Sequence, residues 1–371
     1  MELLKALSEA PGVPGREERV KDIIRREAGG LFDEMHEDAM GNLVCLRKAR
    51  KAPANGPAPK VLFACHIDEI GFYVRAIDKE GRLRVINAGG FDTRNLFARR
   101  VLVQGKKDLP GVLNPTGKPI HIATDEDKKK IPQINEFFVD LFLPKEKVTE
   151  LVRVGDPVTL VQTVEKIGEV YTGKAMDNRV ASAVAIEAIR QVGDDNAYDI
   201  YYVATVQEEV GLRGAGPSAY NIDPDVAIAL DTTLACDTPG ISEEDSITRL
   251  GSGVCIKIMD NGTLSHRQMV DEFIALAERN KIPYQLQAGS GGSTDAASMQ
   301  RAGKGYRAIN IAVPTRYIHT IVESVHEKDV QAAIDLLSAW LKKTPGSEQK
   351  AKKEPAAAGK GTPAGRGRRK A

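Results

Sequence analysis

A chain of 371 residues with 42% hydrophobic and 28% charged residues has the make-up of a globular protein with room for about two domains. A net charge of +1 excludes a polyanion binder that works by overall charge, and no apolar run approaches the roughly 18–20 residues of a membrane span. The scattered cysteines Cys45, Cys65, Cys236 and Cys255 form no CxxC pair, which points to reduced thiols rather than a disulfide framework. The first twenty residues show no basic region followed by an apolar one, so no secretory signal is read. The expectation is a cytoplasmic α/β protein.

Residues 1–72 open with helical signals in "LLKAL" and "GREERVKDIIRREAGG", followed by the strand-like "KVLFACH". Residues 73–166 change character: "RLRVINAGG", "RRVLVQGK" and "DPVTLVQTVE" are short β-type runs broken by Gly and Pro, which reads as a small β-rich insert. The charged stretch "PTGKPIHIATDEDKKKIPQ" within it reads as a mobile loop. Residues 167–344 return to alternation. "NRVASAVAIEAIRQV" reads as a buried helix, while "DIYYVATV", "DVAIALD" and "YRAINIAV" are apolar throughout, as parallel strands are. "HRQMVDEFIALAERNKI" sets Met269, Phe273, Leu276 and Ala277 on one helical face, and "EKDVQAAIDLLSAWLKK" is a last amphipathic helix. Such alternation predicts an open, mostly parallel α/β sheet with helices on both faces. Residues 345–371 are low-complexity, with eight Lys or Arg against two Glu, and are expected to be disordered.

The acids and imidazoles that end predicted strands form a pattern. They are His66 and Asp68 in "ACHIDE", Glu208 and Glu209 in "VQEEVG", Asp231 in "IALDTT" and His319 in "VPTRYIHT", with Asp177 just before a helix in "GKAMDNRVA". In an open α/β sheet, ligand sites lie outside the carboxyl ends of the strands, so these distant segments converge on one crevice. So many like charges repel one another unless divalent cations resolve them. Histidine with several carboxylates suits zinc, cobalt or manganese better than a thiolate zinc site does. Paired metals about 3.5–4 Å apart share a ligand, and the short carboxylate of Asp177 is a candidate bridge. His66 with Asp231, and His319 with Glu209, would complete the two sites. Asp68, two residues after His66 in extended chain, points the same way and can accept the other imidazole N–H. Neighbours in extended chain point to opposite faces, so with Glu209 turned toward a metal, Glu208 is left over to act as general base on the bridging water.

Each residue alone has a plainer reading. A strand-end histidine is usually a hydrogen-bonding residue, "EE" a solvated turn, and the Asp of "DNR" a helix N-cap. Placement together is what favours chemistry. His36, His121, His266 and His326 stay outside the pattern, and Cys65 reads as a buried thiol.

The motifs "HIDEIGF", "MDNR", "ATVQEEVGLRGA", "LDTT", "GGSTDA" and "PTRYIHT" resemble those of the tetrahedral aminopeptidases, the glutamyl, leucyl and lysyl aminopeptidase group. The resemblance runs in order over about residues 1–343. It implies a cytosolic two-metal exopeptidase that removes the N-terminal residue from peptides. Its metal ligands would fall on His66, Asp177, Glu209, Asp231 and His319, its general base on Glu208 and its histidine-following acid on Asp68. It implies two divalent ions per subunit, zinc or cobalt, with a water between them as nucleophile. It also implies that residues 1–72 and 167–344 are two parts of one catalytic domain. The barrel-like insert of residues 73–166 would then pack subunits, twelve of them, into a hollow tetrahedral particle. Ser293 stands where the group commonly has Gly, Met176 where Phe or Ala is frequent, and Thr320 where Ser is common; none of these removes a ligand. A related deacylase or carboxypeptidase with the same metals is the alternative enzyme; a glucanase fits worse, since glycoside cleavage uses two carboxylates without metals. In a different class, "GRGRRKA" in the tail would hold nucleic acid or another anionic surface by charge, against the plainer reading of a solvated extension.

Overall fold

The computed structural model describes residues 1–51, 56–289 and 291–343; the low-complexity tail therefore lies outside the described residues. In chain order, the strands that open the main sheet are β1 (Glu34–Glu37), β2 (Leu43–Arg47) and β3 (Lys60–His66). Then come β4 (Gly71–Ile77), β5 (Leu83–Ala88), β6 (Arg99–Gln104), β7 (Asp108–Pro115), β8 (Phe137–Asp140) and β9 (Pro157–Leu160), which form a separate sheet. The chain returns to the main sheet with β10 (Glu165–Ile167), β11 (Val170–Gly173), β12 (Asp199–Thr205), β13 (Val226–Leu234), β14 (Val254–Met259), β15 (Tyr284–Ala288), β16 (Ala308–Arg316) and β17 (Glu323–His326).

The main sheet has 11 strands, in the order β1-β2-β12-β3-β13-β16-β17-β11-β10, with β14 pairing β15 and β16. At its centre β12, β3, β13 and β16 run parallel. Antiparallel strands extend both margins. The parallel centre follows from composition: β3, β12 and β13 are buried almost end to end, so both faces need helices over them. The helix Met176–Val192 lies against this centre, with Val180, Val184, Ile186 and Ile189 all buried. Each such side chain contributes about 1.5–3 kcal/mol of burial. The helix Glu327–Leu341 packs beside it, and its Trp340 stacks on Phe273 and Tyr198.

The β4–β9 strands close into a six-stranded antiparallel barrel, in the order β4-β5-β8-β7-β6-β9. Phe72, Val74, Val85, Val103, Leu113 and Phe137 belong to its own apolar cluster, separate from that of the main sheet. Closure removes the open edges that short strands would otherwise present. The charged stretch read as a loop contains a 3-10 turn, Ile120–Ile122, and a short helix, Asp125–Lys129. Thr124 and Asp127 form a capping box there, so local cap chemistry orders a segment whose composition signals only exposure.

Candidate metal centre and active site

Parallel alignment of β12, β3, β13 and β16 sends their carboxyl ends to one edge. His66 ends β3, the Glu208–Glu209 pair follows β12, and His319 lies just beyond β16. Asp177 sits at the start of the helix Met176–Val192. Asp231 falls within β13 rather than at its end, because that strand continues to Leu234.

The predicted residues come together. The two oxygens of Asp177 part toward two imidazoles: Oδ1 is 3.2 Å from His66 Nε2, and Oδ2 is 3.6 Å from His319 Nε2. Asp231 Oδ1 lies 3.7 Å from His66 Nε2, and Glu209 Oε2 lies 3.3 Å from His319 Nε2. Glu208 Oε2 is 3.8 Å from His66 Nε2. Potential ligand atoms group as His66–Asp177–Asp231, as Asp177–Glu209–His319, and as His66–Glu208–Glu209, each set within 4.8 Å. Asp177 Oδ1 is buried without a hydrogen-bond partner, as is His66 Nδ1. A buried carboxylate oxygen in that condition costs about 1–3 kcal/mol or more. Imidazole nitrogens and carboxylate oxygens are also the donor set that zinc, cobalt and manganese accept, so the residues fit such ions.

Electrostatics carries the same strain. Burial works against a charge on His66, yet Glu208, Asp177, Asp231 and Asp68 together hold its pKa well above the usual imidazole range. For His319, burial is likewise outweighed, here by Glu209, Asp177 and Glu323, which raise it to about 10. Burial raises Glu208 well above the carboxylate range, and it raises Glu209 and Asp231 as well. Asp177 goes the other way: burial would raise it, but the two imidazoles lower it. Without cations the imidazoles take protons to offset the acids; cations would take over that role and leave the imidazoles neutral.

Asp68 does something the sequence spacing did not suggest. Its Oδ1 is 3.6 Å from His66 Nδ1, too long for a hydrogen bond. Its two oxygens instead accept the backbone N–H groups of Glu208 and Glu209, both at 3.0 Å. The doublet is not extended chain, for Gln207 before it has φ 58°. Strand alternation therefore does not apply, and both carboxylates reach the same cavity. The backbone here is held by residues outside the predicted set. Glu17 Oε1 accepts from Gln207 N at 3.2 Å. Asn42 Oδ1 accepts from Val206 N at 2.9 Å, while its NH2 group donates to the Gly214 carbonyl at 3.0 Å. A Cβ on Gly214 would stand 2.3 Å from Asn42 Oδ1, so "GLRGA" needs glycine at that turn.

Three more buried groups escaped sequence reasoning. Glu323 Oε2 accepts from Asp177 N at 2.8 Å, and Oε1 from His319 N at 2.7 Å. Asp295, in "GGSTDA", accepts from Thr205 Oγ1 at 2.5 Å, and burial, against the opposing pull of His66 and Thr205, carries its carboxyl up to about 7. Glu69 receives Lys174 Nζ on both oxygens, at 2.8 and 2.7 Å. Only the flanking motif signalled Asp295 and Glu69, and nothing local signalled Glu323.

The cavity lined by His66, Asp177, Glu208, Glu209, Asp231 and His319 has a volume of about 460 Å³. Its lining also carries side-chain donors. Lys257 on β14 is the register partner of Gln287 on β15, and both line the cavity. Lys257 Nζ lies 3.7 Å from Asp260 Oδ2, and its positive charge also acts on Asp231, against the burial that raises that carboxyl. The Gln287 carbonyl accepts from Thr233 Oγ1 at 2.6 Å, which leaves its NH2 group to donate.

A parallel-centred α/β sheet with imidazoles and carboxylates gathered at its carboxyl edge defines a hydrolase-type site able to hold metal. The chain belongs to the M42 glutamyl aminopeptidase family, whose sequence model matches residues 41–336. It is 33% identical over 350 residues to the lysyl aminopeptidase of Pyrococcus furiosus, covering 92% of this chain and 96% of that protein. Among solved structures it is similar to an aminopeptidase of Desulfurococcus kamchatkensis, with 38% identity, TM-score 0.86 and coverage of 92% of this chain and 94% of that one. It is also similar to the Pyrococcus horikoshii TET1 peptidase, which can assemble into a tetrahedron or a large octahedral shell. There the identity is 30%, the TM-score 0.79, and the coverage 92% of this chain and 98% of the other. The protein is a peptide-bond hydrolase of the aminopeptidase type.

Proposed function

We propose that the cluster holds two divalent cations, zinc or cobalt, and removes the N-terminal residue of peptides. His66 and Asp231 would bind one ion, Glu209 and His319 the other, with Asp177 shared. The observation that carries this reading is the parting of the Asp177 oxygens toward two different imidazoles, at 3.2 and 3.6 Å. Cations held by these residues would supply Lewis acidity toward the scissile carbonyl and an attacking water. Glu208 takes the proton from that water and returns it to the leaving amine. What supports this role is that Glu208 lines the cavity beside the proposed ligands, with its Oε2 3.8 Å from His66 Nε2. Asp68 and Glu17 act through the backbone, keeping the doublet turned into the cavity.

The barrel is proposed as the part that packs subunits into a homo-oligomer, and residues 1–72 and 167–344 as the catalytic domain. Phe142 is 75% exposed and Val154 64% exposed, apolar groups that a single subunit leaves uncovered. The TET1 particle is the precedent for a closed shell. A cytoplasmic location is supported by the free cysteines, Cys45, Cys65, Cys236 and Cys255. Among the described residues no helix is long and apolar enough to cross a membrane.

Zinc titration of the metal-free protein, followed by calorimetry, tests the centre. Two ions per subunit are expected in the wild type and one in His319→Ala. Saturation of the wild type at a single ion would sink the shared-carboxylate reading.

A further inference from the structure

Glu323 opens β17, with 2% of its surface exposed, and it does not face the cavity as a ligand. Its two oxygens are each occupied by a backbone N–H: Asp177 at 2.8 Å and His319 at 2.7 Å. These two residues come from segments 142 positions apart in the chain, yet their side chains must meet at one point. Neither backbone is regular there. Asp177 has φ −76° and ψ 102° inside a helix, and His319 has φ 63°. A side chain that receives both amides at once fixes the separation of the two backbones.

We propose that Glu323 is a positioning residue that sets the distance between the shared carboxylate of Asp177 and the imidazole of His319. It thereby governs the affinity of one metal position, Asp177–Glu209–His319, more than that of the other, His66–Asp177–Asp231. This rests on the two-metal reading above.

The chemistry demands a glutamate. Both donors are N–H groups, so both facing atoms must be acceptors. Glutamine offers one oxygen, and its NH2 group would confront the second N–H. Aspartate keeps two oxygens but is one methylene shorter and cannot reach both amides without moving a strand. Asp68 holds the amides of Glu208 and Glu209 in the same two-oxygen manner, at 3.0 Å each. The two ligand-bearing loops are thus each pinned by one buried carboxylate, and Glu323 pins the pair to which the second histidine belongs.

The test is metal retention, read without turnover. Wild type, Glu323→Gln and Glu323→Asp are loaded with zinc and dialysed against graded chelator, and metal per subunit is measured. Outer partners of metal ligands typically change affinity by about 10- to 100-fold. Glu323→Gln is expected to release one ion at a chelator concentration, lower by that factor, at which the wild type keeps both, while the second ion stays. Cobalt loading gives a second reading, with the visible absorption of one site lost before the other. Retention of both ions at wild-type affinity overturns the inference, as does their joint release in one step. A wild type that binds only one ion removes the two-metal reading itself and the inference with it. Should the variants fail to fold, hydrogen exchange on the wild type reads the same contact. Slow exchange of the Asp177 and His319 amides in the metal-free protein is expected, and fast exchange overturns the proposal.

Discussion

Glu208→Gln separates the two roles open to that carboxylate. The side chain is 10% exposed and its Oε2 lies 3.8 Å from His66 Nε2, so a neutral amide of the same shape fits the same space. The Glu208 backbone N–H stays on Asp68, since the substitution does not touch it. What disappears is the ability to take a proton. A positioned general base contributes about 10²–10⁴-fold, which corresponds to about 3–5.5 kcal/mol of transition-state stabilisation. The expected result is a fall of that size in kcat on an aminoacyl-anilide, with KM nearly unchanged. Metal content should stay at the wild-type level, because His66, Asp177, Glu209, Asp231 and His319 are intact. Glu208 also belongs to a possible ligand set with His66 and Glu209. Loss of metal together with activity would therefore make it a ligand, and a rate within about threefold of wild type would refute the base assignment.

Glu17 predicts a pH dependence. Burial, and then the charge of Asp68, push its carboxyl up to about 7 from an ordinary 4.5. Between those values the folded chain binds more protons than the unfolded one, so stability falls as pH rises through that window and stays lower above it. Both of its N–H bonds land on Oε1, from Gly15 at 2.7 Å and Gln207 at 3.2 Å, so Glu17→Gln keeps them and removes the buried charge. The variant should gain up to about 3 kcal/mol at pH 8 and nothing near pH 4.5; a thermal-melting difference that is the same at both would contradict this. Lys257→Met should lower kcat/KM for a glutamyl-anilide by on the order of 10-fold or more relative to a leucyl-anilide, because it removes a charged donor from the cavity wall. Equal losses on both substrates would mean that Lys257 does not meet the substrate side chain.

The legible parts of this protein are those whose pattern is unbroken. "DIYYVATV" and "YRAINIAV" read as parallel strands because both faces are buried, and they appear as β12 and β16. Parallel strands alone suffice for the carboxyl-edge rule, without any strand order, to bring His66, Asp177, Glu209, Asp231 and His319 into one group. In the insert, β7 was harder to see: Pro110 and Gly111 interrupt it, and it survives because barrel pairing with β6 and β8 supplies what propensity does not. The doublet was read with the alternation of a strand, which the left-handed Gln207 cancels. Glu323 was invisible for another reason. "ESVH" is an ordinary strand opening, and its partners Asp177 and His319 are set by tertiary approach rather than by spacing.

The central claim is that this chain is an aminopeptidase whose chemistry depends on a metal pair. Metal content and turnover of a panel of aminoacyl-anilides, measured on one preparation before and after chelation, test it most directly. The account predicts two ions per subunit, activity abolished by chelator, and recovery on adding zinc or cobalt. Full activity in a metal-free preparation would contradict it.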